Sequence, residues 1–210
     1  MATTDAGAER RTTRAEQREQ TRARIIDAAI EAFAKHGYSG SSTRDIAARA
    51  ETSQGLVSYH FETKAELWRA AADHLFGDVA DSLRPAAGRR AAGAEATREA
   101  IRGFVRLNAR RPALVHFMVD AGRHDDERMR YLVDTHLSQR FAAVARLSTG
   151  DVDPAHLYYA LAGASSLLFG VAAECRALTG IDPSDDDVVE RHAHFVARLF
   201  VPDEHDRRSG

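Results

Sequence analysis

Residues 42–64 read STRDIAARAETSQGLVSYHFETK, and this stretch predicts two short helices joined by a tight turn. Ser42 or Thr43 provides an N-cap hydroxyl for the first helix, and Ser53 provides one for the second. Apolar residues recur at helical spacing in both segments, so each segment has one face that can pack inward. The arrangement is typical of a helix-turn-helix, which the pattern places at about residues 42–61.

The second of these helices presents small and polar side chains outward. Leu56, Val57 and Phe61 mark its inward face. A short helix with hydrogen-bonding side chains on its other face suits the major groove, where the base edges can be distinguished. We expect four residues to contact base edges or to approach the groove closely: Gln54, Gly55, Leu56 and Ser58. We expect phosphate contacts from Thr43, Arg44, Tyr59, His60 and Lys64.

A longer pattern includes this motif: Thr43-x-x-Ile46-Ala47-x-x-Ala50-x-x-Ser53-x-Gly55-x-x-x-Tyr59-His60-Phe61-x-x-Lys64-x-x-Leu67. It resembles the DNA-binding domain of the TetR family of bacterial repressors, over about residues 18–78. Two positions depart from the family pattern. Family members usually carry Gly-Val where this chain has Glu51-Thr52, and their most frequent Tyr falls at Ser58, just before Tyr59. Which of these two hydroxyls contacts phosphate is left open.

The chain divides into four segments. We expect a disordered basic arm at 1–13, a TetR-type DNA-binding domain with its connecting helix at 14–84, a helical body for ligand binding and dimerisation at 94–201, and a tail at 202–210. The arm either contacts DNA through Arg10, Arg11 and Arg14 or is a solvated tail. The stretch Arg84–Gly93 is rich in Ala, Gly and Arg and predicts a linker.

The hydrophobic pattern has a helical period throughout and no sustained alternation, so we predict an all-α fold of about nine helices without a sheet. Besides the two helices of the motif, the predicted helices are Arg14–His36, a long fourth helix that begins after Thr63 and stops before Pro85, Ala94–Arg110, Pro112–Ala121, Asp126–Ser148, Pro154–Thr179 and Ser184–Phe200. The fourth helix is too long for the DNA-binding domain alone. We expect it to link this domain to the body mechanically.

Charge and motif content favour a DNA-binding protein over an enzyme. Residues 10–64 hold ten Lys or Arg and seven Asp or Glu, a net charge of +3, whereas residues 181–210 hold four Arg and eight acids, a net of −4. The basic end contains the predicted reading helix. The sequence contains no nucleophile elbow, phosphate-binding loop, zinc-hydrolase helix or cluster of Cys and His ligands. We therefore expect no enzyme activity and no cofactor.

The predicted helix at 154–179 contains 19 consecutive residues without charge, Ala155–Ala173, which is long enough to cross a bilayer. Its Ala, Gly, Ser and His content and the lack of basic flanks favour a helix buried in the body and at a partner subunit instead. Ala162, Ser166 and Gly170 lie four apart, so another helix can approach closely. The resemblance implies a homodimer formed through the last two long helices.

Aromatic and apolar residues of the body predict either an ordinary core or a ligand pocket. The resemblance implies an apolar small molecule held between these helices. The candidate ligand-binding residues are Phe104, Leu107, His116, Phe117, Asp120, Phe141, Tyr158, Tyr159 and Phe169. The spacing of His116, Asp120 and His124 also permits a metal site, but Gly122 interrupts the helix there, and no metal is predicted.

Together these features predict a cytoplasmic, homodimeric transcriptional regulator. We expect a repressor that binds a roughly palindromic double-stranded DNA operator and is released by a small apolar effector. The alternative is a ligand-independent regulator whose body is a dimerisation clamp. The single cysteine, Cys175, excludes an intramolecular disulfide and fits a reducing compartment, and it is either an inert buried thiol or a redox sensor.

Overall fold

The computed structural model describes residues 13–83, 93–148 and 152–202. These residues form ten helices and no strand, so the predicted all-α fold is confirmed. The arm predicted at 1–13, the linker at 84–93 and the tail at 202–210 lie almost wholly outside the described residues.

Helices α1 to α4 form the N-terminal part of the chain, and α5 to α10 form the body. Their bounds are α1 Arg14–Gly40, α2 Thr43–Arg49, α3 Gln54–His60, α4 Lys64–Leu83, α5 Ala94–Arg110, α6 Ala113–Gly122, α8 Pro154–Gly170, α9 Ala172–Thr179 and α10 Asp186–Phe200. Helix α7 consists of Glu127–Leu132, a π-helical segment Val133–Leu137, and Ser138–Ala145. We call α1 to α3 with the first half of α4 the head.

Side-chain caps place the short helices of the head where the sequence predicts them. The Ser42 hydroxyl accepts the Asp45 N–H at 3.1 Å and caps α2, and the Ser53 hydroxyl accepts the Leu56 N–H at 3.2 Å and caps α3. Regular helical geometry in α1 ends at Gly37, whose φ of 69° lies in the left-handed region that favours glycine. The prediction that α1 stops after His36 is correct in this sense.

The single helix predicted at 154–179 is wrong, because two helices occupy this stretch. α8 and α9 are bent by 75° at Val171, whose φ of −114° and ψ of 38° are not helical. Gly170 and the β-branched Val171 are adjacent poor helix formers, which makes this the weakest point of the stretch. Gly170 also permits a close approach of α6, since a Cβ there would lie 2.6 Å from Cγ1 of Val115.

One hydrophobic core extends from the head into the body. It joins Ile25, Phe33 and Trp68 of the head to Phe117 and Leu132 of the body. The Trp68 ring, 1% exposed, stacks on Phe117 with ring centroids 5.0 Å apart. A second, smaller cluster lies between α5, α8 and α10. Because head and body share one tightly packed core, a movement of the body displaces side chains of the head directly.

No single helix within the described ranges is long and apolar enough to cross a membrane. α8 and α9 reach that length and composition only as a pair, and the 75° bend separates them.

Candidate DNA-binding surface and effector cavity

Helix α3 buries a narrow face and leaves the rest of its surface to solvent. Val57 is 1% exposed and anchors the helix in the head, whereas Gln54, Gly55 and Ser58 are exposed. Leu56 is 42% exposed, so its predicted place on the inward face is wrong. Val57 is the buried residue of this helix, and its neighbour Leu56 points to a different side because a helix has 3.6 residues per turn.

The predicted phosphate contacts differ in accessibility. Arg44 and Tyr59 are exposed and Thr43 is half-buried, all on α2 and α3. The Nε2 atom of His60, in contrast, is buried without a hydrogen-bond partner within the described part of the chain, and burial, followed by the charges of Arg18 and Arg22, lowers its pKa.

Lys64, another predicted phosphate contact, is half-buried. Its Nζ atom lies 4.4 Å from the centroid of the Tyr38 ring, a cation–π distance. Burial, followed by the neighbouring charge of Arg128, lowers the pKa of Lys64. The ammonium group therefore packs against Tyr38, whose ring also contacts Arg128 of the body.

Two arginines of α1 lie beside α3, and the sequence reasoning missed both. The guanidinium of Arg18 is 5.4 Å from the centroid of the exposed Tyr59 ring, and that of Arg22 is 5.3 Å from the centroid of the Phe61 ring. Their spacing of four residues on the polar face of α1 was a usable signal, since it places two positive charges on one side of a helix. These arginines add positive charge next to the exposed side of α3.

The turn between α2 and α3 holds a side chain in the left-handed conformation. Glu51 has a φ of 50°, and it is the only non-glycine residue with positive φ within the described ranges. The N–H groups of Glu51 and Thr52 donate to the carbonyls of Ala48 and Ala47 at 3.2 and 3.0 Å, which closes the turn. The chain thus keeps a tight helix-turn-helix geometry with a glutamate where glycine would be unstrained.

Asp120 connects α6 to the end of α1 instead of facing a ligand cavity. Its Oδ2 atom accepts the backbone N–H of Tyr38 at 3.0 Å, and a Cβ on Gly37 would come within 2.5 Å of its Oδ1 atom. The Arg128 guanidinium lies 4.2 Å from the Tyr38 ring centroid, and its Nη1 atom is 3.9 Å from Oδ2 of Asp120. We call Tyr38, Lys64, Trp68, Asp120 and Arg128 the head–body seam.

A cavity of about 590 Å³ opens between α4, α5, α7 and α8. Of the nine candidate ligand-binding residues, Phe104 and Tyr158 line it. Its lining consists of Asp73, Phe76, Gly77, Val79, Thr97, Ala100, Ile101, Phe104, Thr135, His136, Gln139, Arg140, Ala143, Leu147, Tyr158, Leu161 and Ala162. The volume lies in the range of sites that hold drug-sized molecules.

The other seven candidates lie elsewhere. Leu107, Phe117 and Phe169 are buried in the two cores, and Asp120 belongs to the head–body seam. His116, Phe141 and Tyr159 are exposed. An aromatic residue is as common in a core as in a pocket, so residue type alone did not separate the two.

A polar cluster on one wall of the cavity was not predicted. Oδ1 of Asp73 accepts the Tyr131 hydroxyl at 2.7 Å and lies 2.8 Å from Nε2 of His136. Burial, followed by the Asp73 carboxylate, raises the pKa of Tyr131 to about 12. Asp73 and His136 are 63 residues apart, so no local sequence pattern predicts the contact between them. Within the described residues no three His, Cys, Asp or Glu side chains are placed to hold a metal ion.

Comparisons with known proteins agree with the motif. The family described as "Bacterial regulatory proteins, tetR family" matches residues 25–71. The HTH-type transcriptional repressor Rv3405c of Mycobacterium tuberculosis is 33% identical over 199 residues, which cover 88% of this chain and 92% of that protein. The chain belongs to the TetR family of bacterial transcriptional regulators.

Solved TetR-like structures share its fold. The ketosteroid transcriptional regulator KstR2 of Mycobacterium tuberculosis superposes with a TM-score of 0.67 at 18% identity, covering 87% of this chain and 95% of that chain. The regulator FadR from Bacillus subtilis, solved with stearoyl-CoA, gives a TM-score of 0.63 at 17% identity, with 86% and 97% covered. As a TetR-family member, the chain is a DNA-binding transcriptional regulator.

Proposed function

We propose that this chain is a homodimeric repressor that binds a roughly palindromic operator and leaves it when a small, largely apolar effector enters the 590 Å³ cavity. The observation that carries the proposal is the position of α4. Its first half contributes Leu67 and Trp68 to the core of the head, and its second half contributes Phe76 and Val79 to the cavity wall. One rigid helix therefore contacts both the DNA-binding end and the effector site.

The exposed face of α3 is the DNA-reading surface. Gln54, Gly55, Leu56 and Ser58 are accessible to base edges, since none of them is held in the core of the head. Arg18, Arg44 and Tyr59 surround this face and supply phosphate contacts.

A dimer places two such heads on one DNA duplex. Large apolar side chains remain uncovered on α8 and α10, the last two long helices: Leu167 is 59% exposed, Phe195 61% and Leu199 57%. Burying these side chains against a second copy of the same helices stabilises a two-fold dimer. The two-fold axis relates the two heads, so the operator half-sites are inverted repeats.

Effector binding acts on the spacing of the two heads. Trp68 and Phe76 are eight residues apart on α4, about 12 Å along the helix axis. A ligand that displaces Phe76 tilts α4, and the stacked Trp68 and Phe117 rings transmit this tilt to the head. The effector releases DNA to the extent that it binds the tilted state more tightly.

The relatives support this assignment. Rv3405c is named a repressor, and the structural neighbours include a ketosteroid regulator and a regulator solved with stearoyl-CoA. Stearoyl-CoA, the ligand bound to that FadR, has a large apolar part, as does the effector that we propose for this cavity. The proposed role is binding without catalysis, and it is exercised in the cytoplasm, where the operator lies.

The test combines DNA binding with effector release. A gel-shift titration on DNA from beside the gene is expected to give a discrete complex of two protomers that survives competitor DNA. Apolar compounds that raise the melting temperature are then added to this complex, because a ligand of the folded state stabilises it by mass action. Release by such compounds supports the proposal. Specific binding that no stabilising compound reverses shows that the body is a dimerisation clamp.

A further inference from the structure

The cavity contains a positive charge that no carboxylate among the described side chains balances. Arg140 lines the cavity, and its guanidinium donates to the backbone carbonyls of Phe76 and His136 at 2.8 and 2.6 Å. Both acceptors are neutral. Within the described residues no Asp or Glu forms an ion pair with Arg140, and the nearby Asp73 carboxylate is occupied by Tyr131 and His136.

An arginine in this position is costly for the empty protein. A guanidinium stays protonated in proteins, so removing it from water without a counter-charge destabilises the fold. Burial accordingly lowers the pKa of Arg140, which a carboxylate partner would have raised. Two of its five N–H groups are used by the carbonyls, so donors remain for a ligand.

A second hydrogen-bond donor, the Tyr158 hydroxyl, is a neighbour of Arg140. The Tyr158 side chain lines the same cavity, and burial raises the pKa of its hydroxyl while the neighbouring Arg140 opposes this shift. No hydrogen bond to the Tyr158 hydroxyl is formed by the residues that the structure describes. Phe76, Ile101 and Leu161 make the rest of this wall apolar.

We propose that the effector is an amphiphile with one carboxylate, held by the Arg140 guanidinium and the Tyr158 hydroxyl, with its hydrocarbon part against Phe76, Ile101, Phe104 and Leu161. A single negative charge fits best, because Arg140 is the one arginine or lysine in the described cavity lining and Asp73 repels a second negative charge. A planar guanidinium also matches the geometry of a carboxylate. This inference rests on the proposed function and specifies the chemistry of its effector.

The experiment compares ligands that differ only in the head group. Straight-chain monocarboxylates of about eight to fourteen carbons, a range chosen for a drug-sized cavity, are titrated calorimetrically beside the alcohols and alkyl phosphates of equal length. The wild-type protein is expected to bind the carboxylates most tightly. Arg140→Gln is expected to weaken carboxylate binding about 10- to 100-fold and alcohol binding less than about twofold, since a hydrogen bond to a charged group is lost.

Two further variants separate recognition from structure. Arg130→Gln removes an exposed arginine of the same helix and is expected to bind carboxylates as the wild type does. Arg140→Lys keeps the charge but loses the planar fork, and an intermediate affinity is expected. Four outcomes would each overturn the proposal. The wild type could bind carboxylates no more tightly than alcohols, or less tightly than phosphates. Arg140→Gln could bind carboxylates as tightly as the wild type, or no compound of the series could bind.

Gel shifts with the same compounds distinguish a failure of the carboxylate site from a failure of effector release. Carboxylates that bind through Arg140 but leave the DNA complex intact would support the carboxylate site and contradict effector release. Alcohols that release the DNA while carboxylates fail would leave the proposed function standing and refute the carboxylate site.

Discussion

Replacing Asp120 with alanine tests the head–body seam. The change removes the acceptor of the Tyr38 N–H, and an unsatisfied, partly buried donor costs about 1–2 kcal/mol. It also removes a carboxylate 3.9 Å from Arg128, in a pair whose side chains are 26% and 13% exposed, which adds up to about 1 kcal/mol. Arg128 keeps Asp126 at 2.6 Å, so its charge remains paired. The expected loss is about 2 kcal/mol in the free energy of unfolding.

For a chain of 210 residues, this loss corresponds to a melting temperature lower by about 4–8 °C. Thermal and urea unfolding by circular dichroism measure it. Asp125→Ala is the matched control, because Asp125 is an exposed carboxylate in the loop that follows α6. Asp120→Asn can still accept the Tyr38 N–H through its amide oxygen and is expected to lose about half as much. Equal melting temperatures of Asp120→Ala and Asp125→Ala would show that the Asp120 contacts of the head–body seam do not stabilise the fold, and would refute this prediction.

Three further predictions, each with a comparison variant, test other parts of the molecule. Glu51→Gly relieves the positive φ of 50° and is expected to stabilise the head by about 1 kcal/mol in urea unfolding, whereas Glu51→Ala should not. Gly170→Ala forces a Cβ against Val115 and is expected to cost about 1–3 kcal/mol, with Gly163→Ala, where the space is open, as control. Arg44→Ala should lower the salt slope of operator binding by about one, and Lys64→Ala by less, because its ammonium lies over Tyr38. Unchanged stability in the first two variants, or a larger effect at Lys64 than at Arg44, would contradict these arguments.

Much of the head could be predicted because its determinants are local. The caps at Ser42 and Ser53 and the glycine at 37 each act within one helical turn, so the sequence alone locates the ends of these helices. The extra break at Val171 escaped prediction because an uncharged, apolar stretch conceals a weak helical junction. Hydropathy measures burial, whereas the continuity of a helix depends on backbone propensity and on the neighbour at Val115.

The cavity was predicted less well, since its walls come from distant segments. Phe104 and Tyr158 line it as expected, but Phe117 stacks on Trp68 and Asp120 binds the end of α1. Each of those contacts joins residues far apart in the chain, and no periodicity encodes which helix faces which. Arg140 joins residues of α4 and α8 in the cavity lining, and no pattern within its own helix indicates this position.

The most direct test of the central claim is a gel-shift titration of the full chain on DNA from beside its gene, with competitor DNA and increasing salt, run with the wild type and Gln54→Ala. A ligand-responsive TetR-family repressor is expected to give one discrete complex of two protomers on a roughly palindromic site. Gln54→Ala is expected to lose about 1–3 kcal/mol of preference at one base position in each half-site. Smearing that vanishes with salt on every fragment, or a Gln54→Ala protein with unaltered base preference, would contradict sequence-specific reading through α3.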